Sequence, residues 1–361
     1  MFKEEINVSE LKVKKPSKIE QLKAMSPKDR NRAIGDLLMN NAMFIIIAIA
    51  IVGIAIAEPS FVSVPSIVNI ISLTAAKLPI ALGVGGCIIL AGTDISAGRQ
   101  VGLAACIAAG LQLTTNKLFP GMGVMPWYVA LLAVCAVGAV VGFVNGFCMA
   151  KFKLHPFIVT LSTQLIVYGC ILLFLKLGTN SGQTLSGMAP EYREFVTGTL
   201  FKVGKTAVPN YVLYSAIIAV VVWVIWNKTA FGKNMYAVGS NEEAANVSGV
   251  NVEKTIIMVF MMAGMLYAIT GFFDAARIAS VNATTGLNYE SDAIAACVIG
   301  GISFVGGIGK VSGAIIGVLL LQVIFVGLNF LSVDPNLLYI VKGLIILVAC
   351  TIDMRKYLVR K

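Results

Sequence analysis

The sequence predicts an all-α integral membrane protein with about ten transmembrane helices, some of them broken at glycine-rich segments. Of its 361 residues, 58% are hydrophobic and only 13% are charged, and the mean hydropathy is +0.87. A chain of this composition cannot hide its apolar surface in one water-soluble core. Its apolar runs are continuous and lack the period-two alternation of barrel strands, which favours helices.

The first predicted element is a polar cytoplasmic tail, residues 1–42. It carries a cluster of basic residues between Lys3 and Arg32 and shows no apolar core followed by a cleavage site. Further basic residues follow the last apolar run, in the predicted C-terminal tail 354–361. Because Lys and Arg accumulate on the cytoplasmic side of a membrane, both termini are predicted to be cytoplasmic.

Residues 43–353 form the predicted transmembrane domain. A spanning helix needs about 20 largely apolar residues. The predicted helices begin near Met43, Ile67, Gly98, Trp127, Phe157, Tyr211, Thr255, Asp292, Val311 and Leu337. Glycines and polar residues interrupt the stretches 73–113 and 293–330, so re-entrant or discontinuous helices fit there equally well and the count could be about eight to eleven.

Glycine spacing predicts close helix packing in this domain. Small residues recur every four positions at Gly138, Gly142 and Gly146 and again at Gly309, Gly313 and Gly317. Such spacing lets helix backbones approach closely in lipid. The glycine-rich regions 83–102 and 300–317 fall in opposite halves of the chain, which is consistent with a two-half internal repeat.

The polar segment 228–254 interrupts the apolar chain and predicts a short capped helix that docks a partner. Ser240 and Glu243 have the spacing of a capping box, and Gly249 stands where a left-handed C-terminal cap would end the helix. A helix of about two turns is not stable alone, so packing against the spans or another protein is expected. The alternative is a solvated loop that only joins two spans.

The charged residues point to lipid and exclude several other functions. The net charge of +10 arises at helix ends and in the tail, where anionic lipid accounts for it, so nucleic acid is not a predicted partner. No catalytic residues and no metal site are predicted, and the seven cysteines are interpreted as packing residues. The stretch around Gly306–Ser312 resembles a phosphate loop. It departs from that motif because Phe304 stands where the first glycine is required and Val311 stands where a Ser or Thr is required.

The membrane segments are poor in titratable groups and richer in neutral hydrogen-bonding side chains. This balance suits an uncharged, hydroxyl-rich solute and disfavours coupling to an ion gradient. Each neutral group could instead hydrogen-bond helix to helix. An ion-driven secondary transporter and a channel remain the alternatives of other classes.

Five stretches of the chain match a known family: Gly-Thr-Asp-Ile-Ser-Ala-Gly-Arg-Gln-Val-Gly-Leu-Ala-Ala from Gly92, Val-Gly-Phe-Val-Asn-Gly from Val141, and the segments 226–234, 244–252 and 292–301. They resemble the permease subunits of bacterial monosaccharide ABC importers, in particular the galactose/methyl-galactoside group with its ribose relatives. It covers the chain after about residue 40. The resemblance implies the ABC importer permease fold and a location in the cytoplasmic (inner) membrane.

The same resemblance implies sites and partners. Residues of the segment that would couple to a cytoplasmic ATPase are Gly232, Glu243, Ala244, Ala245, Ser248 and Gly249. The polar residues of the membrane segments, read with this resemblance, give the candidate residues of the translocation region, which are Asp94, Ser96, Arg99, Gln100, Asn145, Thr163 and Gln164. The implied partners are a tandem-domain ATPase that uses ATP and magnesium, an extracytoplasmic sugar-binding protein, a second copy of the chain and membrane lipid. The chain itself is expected to bind no cofactor. Galactose or a methyl galactoside is the first expected solute, and ribose, glucose or a nucleoside is the alternative.

Overall fold

The computed structural model describes residues 42–358 except 116, 120 and 179. The predicted N-terminal tail up to residue 41 and the last three residues lie outside this described part. The chain divides into two compact units, residues 1–48 and 49–361. Of the first unit, the structure describes the opening turns of the first helix, and the architecture below is that of the second.

The described residues contain thirteen α-helices and four short strands. The helices are α1 (Ala42–Ala57), α2 (Val64–Ile89), α3 (Ala97–Gln112), α4 (Trp127–Phe152), α5 (Pro156–Leu175), α6 (Pro190–Thr197), α7 (Tyr211–Lys228), α8 (Ala230–Ser240), α9 (Glu242–Val247), α10 (Val252–Ile278), α11 (Tyr289–Ile299), α12 (Val311–Phe330) and α13 (Pro335–Leu358). The strands are β1 (Leu185–Ser186), β2 (Thr199–Val203), β3 (Thr206–Pro209) and β4 (Ser280–Val281). The all-α class is therefore confirmed.

A helix begins within three residues of each predicted start, from Ala42 for Met43 to Pro335 for Leu337. Six of the described helices, α2, α4, α5, α7, α10 and α12, are long and apolar enough to cross a membrane. Helices α3 and α11 have 16 and 11 residues and are too short for a complete crossing. The total of about ten spans therefore stays a prediction.

The predicted breaks are present. Residues 90–96 separate α2 from α3, and residues 300–310 separate α11 from α12. The prediction that Gly309, Gly313 and Gly317 share one helix face is wrong, because Gly309 precedes α12. Gly313 and Gly317 are on α12 and lie against the backbone of Gly300 and Ala296 on the other side of the break.

Helix α10 is at the centre of the bundle and packs against α2, α3 and α4. In the most apolar window of α2 and α10, 72% and 61% of the residues are buried, against 22% for α4 and 28% for α7. Leu132, Ile166, Leu173 and Val220 on the outer helices are more than half exposed, as side chains that face lipid would be.

The first glycine series is confirmed as a packing surface between α4 and α10. A Cβ atom at Gly138 or Gly142 would overlap the backbone carbonyl of Gly264 or Phe260. A Cβ at Gly146 would lie 2.7 Å from Cα of Ile257. Any side chain at Gly138 or Gly142 would push the two helices apart.

The segment 178–209, which follows α5, contains strands β1, β2 and β3 and helix α6. Strands β2 and β3 form an antiparallel hairpin, and β1 pairs with β4, which follows α10. The Tyr192 hydroxyl on α6 donates a hydrogen bond to the carbonyl oxygen of Phe272 at 2.5 Å. This region therefore caps the end of the bundle that lies opposite the segment 228–254.

Candidate functional site

The segment 228–254 folds into two consecutive helices, α8 and α9, before α10 begins. The prediction of one short helix missed α8. The predicted capping box is also wrong, because Asn241 caps α9: its Oδ1 accepts the Ala244 N–H at 2.8 Å. Asn241 has an extended backbone, whereas Ser240 ends α8 and donates its hydroxyl to the Tyr236 carbonyl. The left-handed Gly249 is confirmed, with φ of +84°.

Helix α8 rests on both broken regions of the bundle. Gly239 lies directly on the Ile89 carbonyl, where α2 ends, and Gly307 donates its N–H to the same oxygen at 2.8 Å. The Tyr236 hydroxyl donates to the Gly309 carbonyl at 2.9 Å. The end of α8 thus contacts the break after α2 and the break before α12.

The predicted coupling residues divide into supporting and exposed ones. Gly232 is buried, and Ala245 is only 4% exposed and packs with Val238 and Val252. These two therefore position the helices. The exposed residues of the predicted set are Glu243, Ala244, Ser248 and Gly249.

Sequence reasoning missed Val247 in this segment. Val247 is 89% exposed, although it is the only large aliphatic residue of α9. Its signal in the sequence is a large aliphatic side chain on a short polar helix whose other apolar residues are Ala244 and Ala245. A single exposed apolar residue is common on protein surfaces, so Val247 gains interest from its place in the predicted coupling segment and not from its exposure alone.

A cleft of about 620 Å³ lies beside α9 and is lined mainly by charged and polar groups: Lys153, Glu242, Glu243, Asn246, Gly249, Val250, Asn251, Val252 and Glu253. Lys153 pairs with Glu242 at 2.7 Å, and Lys151 pairs with Glu253 at 3.5 Å. Among the described residues, Glu243 lines the cleft with no lysine or arginine within ion-pair distance. The cleft therefore presents an unbalanced carboxylate.

Five of the predicted translocation residues meet in one buried hydrogen-bond network. The Ser96 hydroxyl donates to Asp94 Oδ1 at 2.5 Å and accepts from Gln100 Nε2 at 2.9 Å and Asn145 Nδ2 at 3.1 Å. Thr163 donates to Asn145 Oδ1 at 2.6 Å. The network ties the break after α2 to α3, α4 and α5. All five side chains are 8% exposed or less, so in this conformation they clamp helices together, and a role in lining a path stays a prediction.

The other two predicted residues, Arg99 and Gln164, are placed elsewhere. Arg99 donates to the Ala283 carbonyl at 3.1 Å, and its guanidinium lies 4.3 Å from the centre of the Tyr168 ring. Arg99 is partly exposed. Gln164 is half-buried on α5, outside the network.

Buried charges also occur in the bundle, more of them than the sequence indicated. Asp274, with no exposed surface, accepts hydrogen bonds from Arg277 Nη2 at 2.7 Å and Nε at 3.0 Å. Lys342 lies 2.8 Å from Asp292, and the Lys77 ammonium lies over the Tyr289 ring. Asp274 and Arg277 were not among the predicted site residues, and their spacing of one helical turn on α10 is the signal that could have found them. Among the residues that the structure describes, no cluster has the composition of a metal site.

Comparison with known proteins is informative over nearly the whole chain. Residues 66–350 match the model of the family described as branched-chain amino acid transport system / permease component. The chain is 45% identical to a galactose/methyl galactoside import permease protein of Haemophilus influenzae, over 93% of this chain and 100% of that one.

Two further relatives set the range of the similarity. The galactose/methyl galactoside import permease protein of Escherichia coli K12 is 43% identical over 90% of this chain and 96% of its own. A ribose import permease protein of Haemophilus influenzae is 33% identical over 91% of this chain and 97% of its own. No solved structure matches the chain.

Proposed function

The chain belongs to the family of branched-chain amino acid transport system permease components. Because its relatives include galactose/methyl galactoside import permeases, we propose that it is the permease subunit of an ATP-driven importer of galactose or a methyl galactoside. As a permease component it is not itself an enzyme, and the six apolar helices among its described residues make it a multi-pass membrane protein. The observation that carries the solute assignment is the 45% identity to a galactose/methyl galactoside import permease over that relative's full length, against 33% to a ribose import permease.

The proposed energy source is ATP, hydrolysed by a separate cytoplasmic subunit. The near-match to a phosphate loop at Gly306–Ser312 lacks two of its required residues. Helix α9 instead offers an exposed valine at Val247 and a carboxylate at Glu243, on a cleft of about 620 Å³. These are features of a docking surface with an apolar centre and a charged rim.

Coupling would run from α9 through α8 to the two breaks. The end of α8 touches the carbonyl of Ile89 and the segment that holds Gly307 and Gly309. A shift of α8 produced by the ATPase would therefore bear on the ends of α2 and α12. We further propose a homodimer with both termini in the cytoplasm and an extracytoplasmic sugar-binding protein on the opposite side.

The first experiment combines co-purification and uptake. Tagged chain is purified from membranes of its native host, and bound ATPase is measured for the wild type, for Glu243→Lys and for the matched charge reversal Glu191→Lys on α6. We expect a stoichiometric ATPase with the wild type and with Glu191→Lys, and its loss with Glu243→Lys. Uptake of labelled galactose should exceed that of ribose.

The second candidate is an ion-driven secondary transporter, which the ion pairs within the bundle favour: Asp274 with Arg277, and Asp292 with Lys342. Membrane interiors usually retain charges for a function. Absence of any bound ATPase, together with galactose uptake that collapses when the proton or sodium gradient is dissipated, would replace the first proposal by this one.

A further inference from the structure

Between α10 and α11 the chain turns back into the bundle as irregular backbone, which we call the re-entrant segment, residues 282–288. The Thr285 carbonyl presses on Gly102 and the Gly286 carbonyl on Gly98, both on α3. Gly271 of α10 contacts the same part of α3, at Val101. Because Gly271 is seven residues from the end of α10, Thr285 and Gly286 lie roughly 10 Å inside the ends of the helices, and residues 282–284 lead down to them from β4.

The segment holds its shape through its own hydrogen bonds. The Asn282 Oδ1 accepts from the Thr284 N–H at 2.9 Å and from its hydroxyl at 2.8 Å. Gly286 and Asn288 have φ of +79° and +62°, and Leu287 donates its N–H to the Thr284 carbonyl at 3.0 Å. Non-helical backbone at membrane depth is tolerated where it is buried in protein or lines a water-filled cavity.

One side of the re-entrant segment is not buried by the chain. Asn282 and Thr284 are exposed, and Asn288 is partly exposed. Arg99 joins them, fixed by the Ala283 carbonyl and the Tyr168 ring. An arginine has five N–H donors, and the described residues accept one of them from Arg99. Lipid could not satisfy this group of amide, hydroxyl and guanidinium donors.

The chemistry of this surface fits an uncharged solute. Glu290 at the start of α11 is 7% exposed, and its carboxylate lies against Gly98, the residue before Arg99. The groups that face outward are therefore the Arg99 guanidinium, neutral amides and a hydroxyl, with Leu287 (42% exposed) beside them, while the Glu290 carboxylate is buried. Such donors and acceptors match the hydroxyl groups of a monosaccharide, and an apolar side chain suits the carbon face of its ring.

We propose that the re-entrant segment and Arg99 form part of the wall of the solute path and contact a neutral, hydroxyl-rich solute as it crosses the membrane. The proposal rests on the proposed function of monosaccharide import. Helix α11, which begins directly after the segment, would then be one half of a discontinuous helix pair beside the path. Asn282, Thr284 and Asn288 become residues that influence which solutes pass.

The test is modification of a cysteine at Thr284 in the full chain, in membranes that also contain its partner proteins. The native cysteines that are not fully buried, Cys135, Cys148, Cys170 and Cys350, are replaced by alanine, and galactose uptake of that background is verified. The control is Leu165→Cys, at a residue of α5 that is 66% exposed. A charged methanethiosulfonate reagent reacts with the thiolate, which forms in water and not in lipid.

We expect Thr284→Cys to react at least tenfold faster than Leu165→Cys. Galactose should slow this reaction at least threefold during transport, whereas mannitol should not. Asn282→Ala should lower the maximal rate of galactose uptake at least fivefold without loss of bound ATPase. If Thr284→Cys does not insert into the membrane, Asn282→Cys takes its place in the same measurement.

Three results would overturn the proposal. One is a Thr284→Cys thiol as unreactive as the α5 control, and another is a disulfide between the Thr284→Cys residues of two copies, which would make the surface a dimer contact. The third is fast modification that galactose does not slow, in a chain whose uptake and bound ATPase are normal. That result leaves the proposed function intact, whereas a wild-type chain without galactose uptake would remove the proposed function itself.

Discussion

At the scale of single residues, the stability of the bundle depends on positions where a side chain has no room or where a charge is buried. Gly142 lies on the Phe260 carbonyl, and the fully buried Asp274 pairs with Arg277. A rotamer change relieves neither situation, because backbone blocks the first and the Asp274 carboxylate has no access to water in the second. Surface pairs such as Lys153 with Glu242 are of the opposite kind, since water can replace either partner.

Replacing Gly142 by leucine should separate α4 from α10. We expect a loss of about 2 kcal/mol or more, seen as a fall of about 5 °C or more in the melting temperature of the detergent-solubilised chain. Gly169→Leu on α5 is the control, because a Cβ atom added at Gly169 would meet no other atom within 4 Å. Equal melting temperatures for the two variants would contradict close packing of α4 on α10.

Removing one partner of the buried pair should cost more than removing one partner of a surface pair. Asp274→Asn leaves Arg277 without its countercharge, and such a change typically costs about 3–5 kcal/mol. Lys153→Gln should cost about 1 kcal/mol or less. The check is the thermal stability of the purified variants, and a tolerated Asp274→Asn would show that water reaches this pair.

At the scale of elements, the two breaks and the helices α8 and α9 form one connected structure. Their existence could be predicted in part, because glycine-rich interruptions indicated the breaks and polar composition indicated the segment 228–254. The contacts of Gly239 with Ile89 and Gly307 could not be predicted, because these residues are 150 and 68 positions away from Gly239 and carry no local signal of proximity. The cap of α9 was misjudged because Ser240 and Asn241 are both good caps, and only the backbone conformation distinguishes them.

Helix α9 should bind the ATPase through Val247. Val247→Asp places a charge at the apolar centre of the proposed contact, so we expect loss of most of the co-purified ATPase, by tenfold or more. Val203→Asp on strand β2 makes the same substitution at another exposed valine and should leave the ATPase bound. Retention of the ATPase by both variants would place its docking surface elsewhere.

At the scale of the whole molecule, the central α10 and the lipid-facing α4, α5 and α7 arrange the chain with the 228–254 segment at one end and the β1 to β4 strands at the other. Hydropathy predicted the starts of these helices to within three residues, because a cap residue stands shortly before each of two apolar runs: His155 caps α5 and Asn251 caps α10. It could not predict the burial of α2 and α10, because lipid and protein interior select the same apolar residues.

The predicted orientation assigns the two ends to opposite sides of the membrane. In whole cells, an impermeant thiol reagent should label Ser186→Cys on β1, and Glu243→Cys should be labelled only after the membrane is opened. The native exposed Cys170 is replaced by alanine in both variants. The reverse labelling pattern would invert the topology and remove the argument for a cytoplasmic ATPase at α9.

The contact of Gly239 with Ile89 and Gly307 also determines how stiffly α8 is connected to the two breaks. Ordinary helix contacts pass through side chains, whose rotamers can absorb part of an imposed displacement. At Gly239 the backbone of α8 touches the backbone of both breaks directly, without a side chain in between among the described residues. A movement at the end of α8 should therefore reach the end of α2 at Ile89 and the segment before α12 at Gly307 without being absorbed by side-chain rotation.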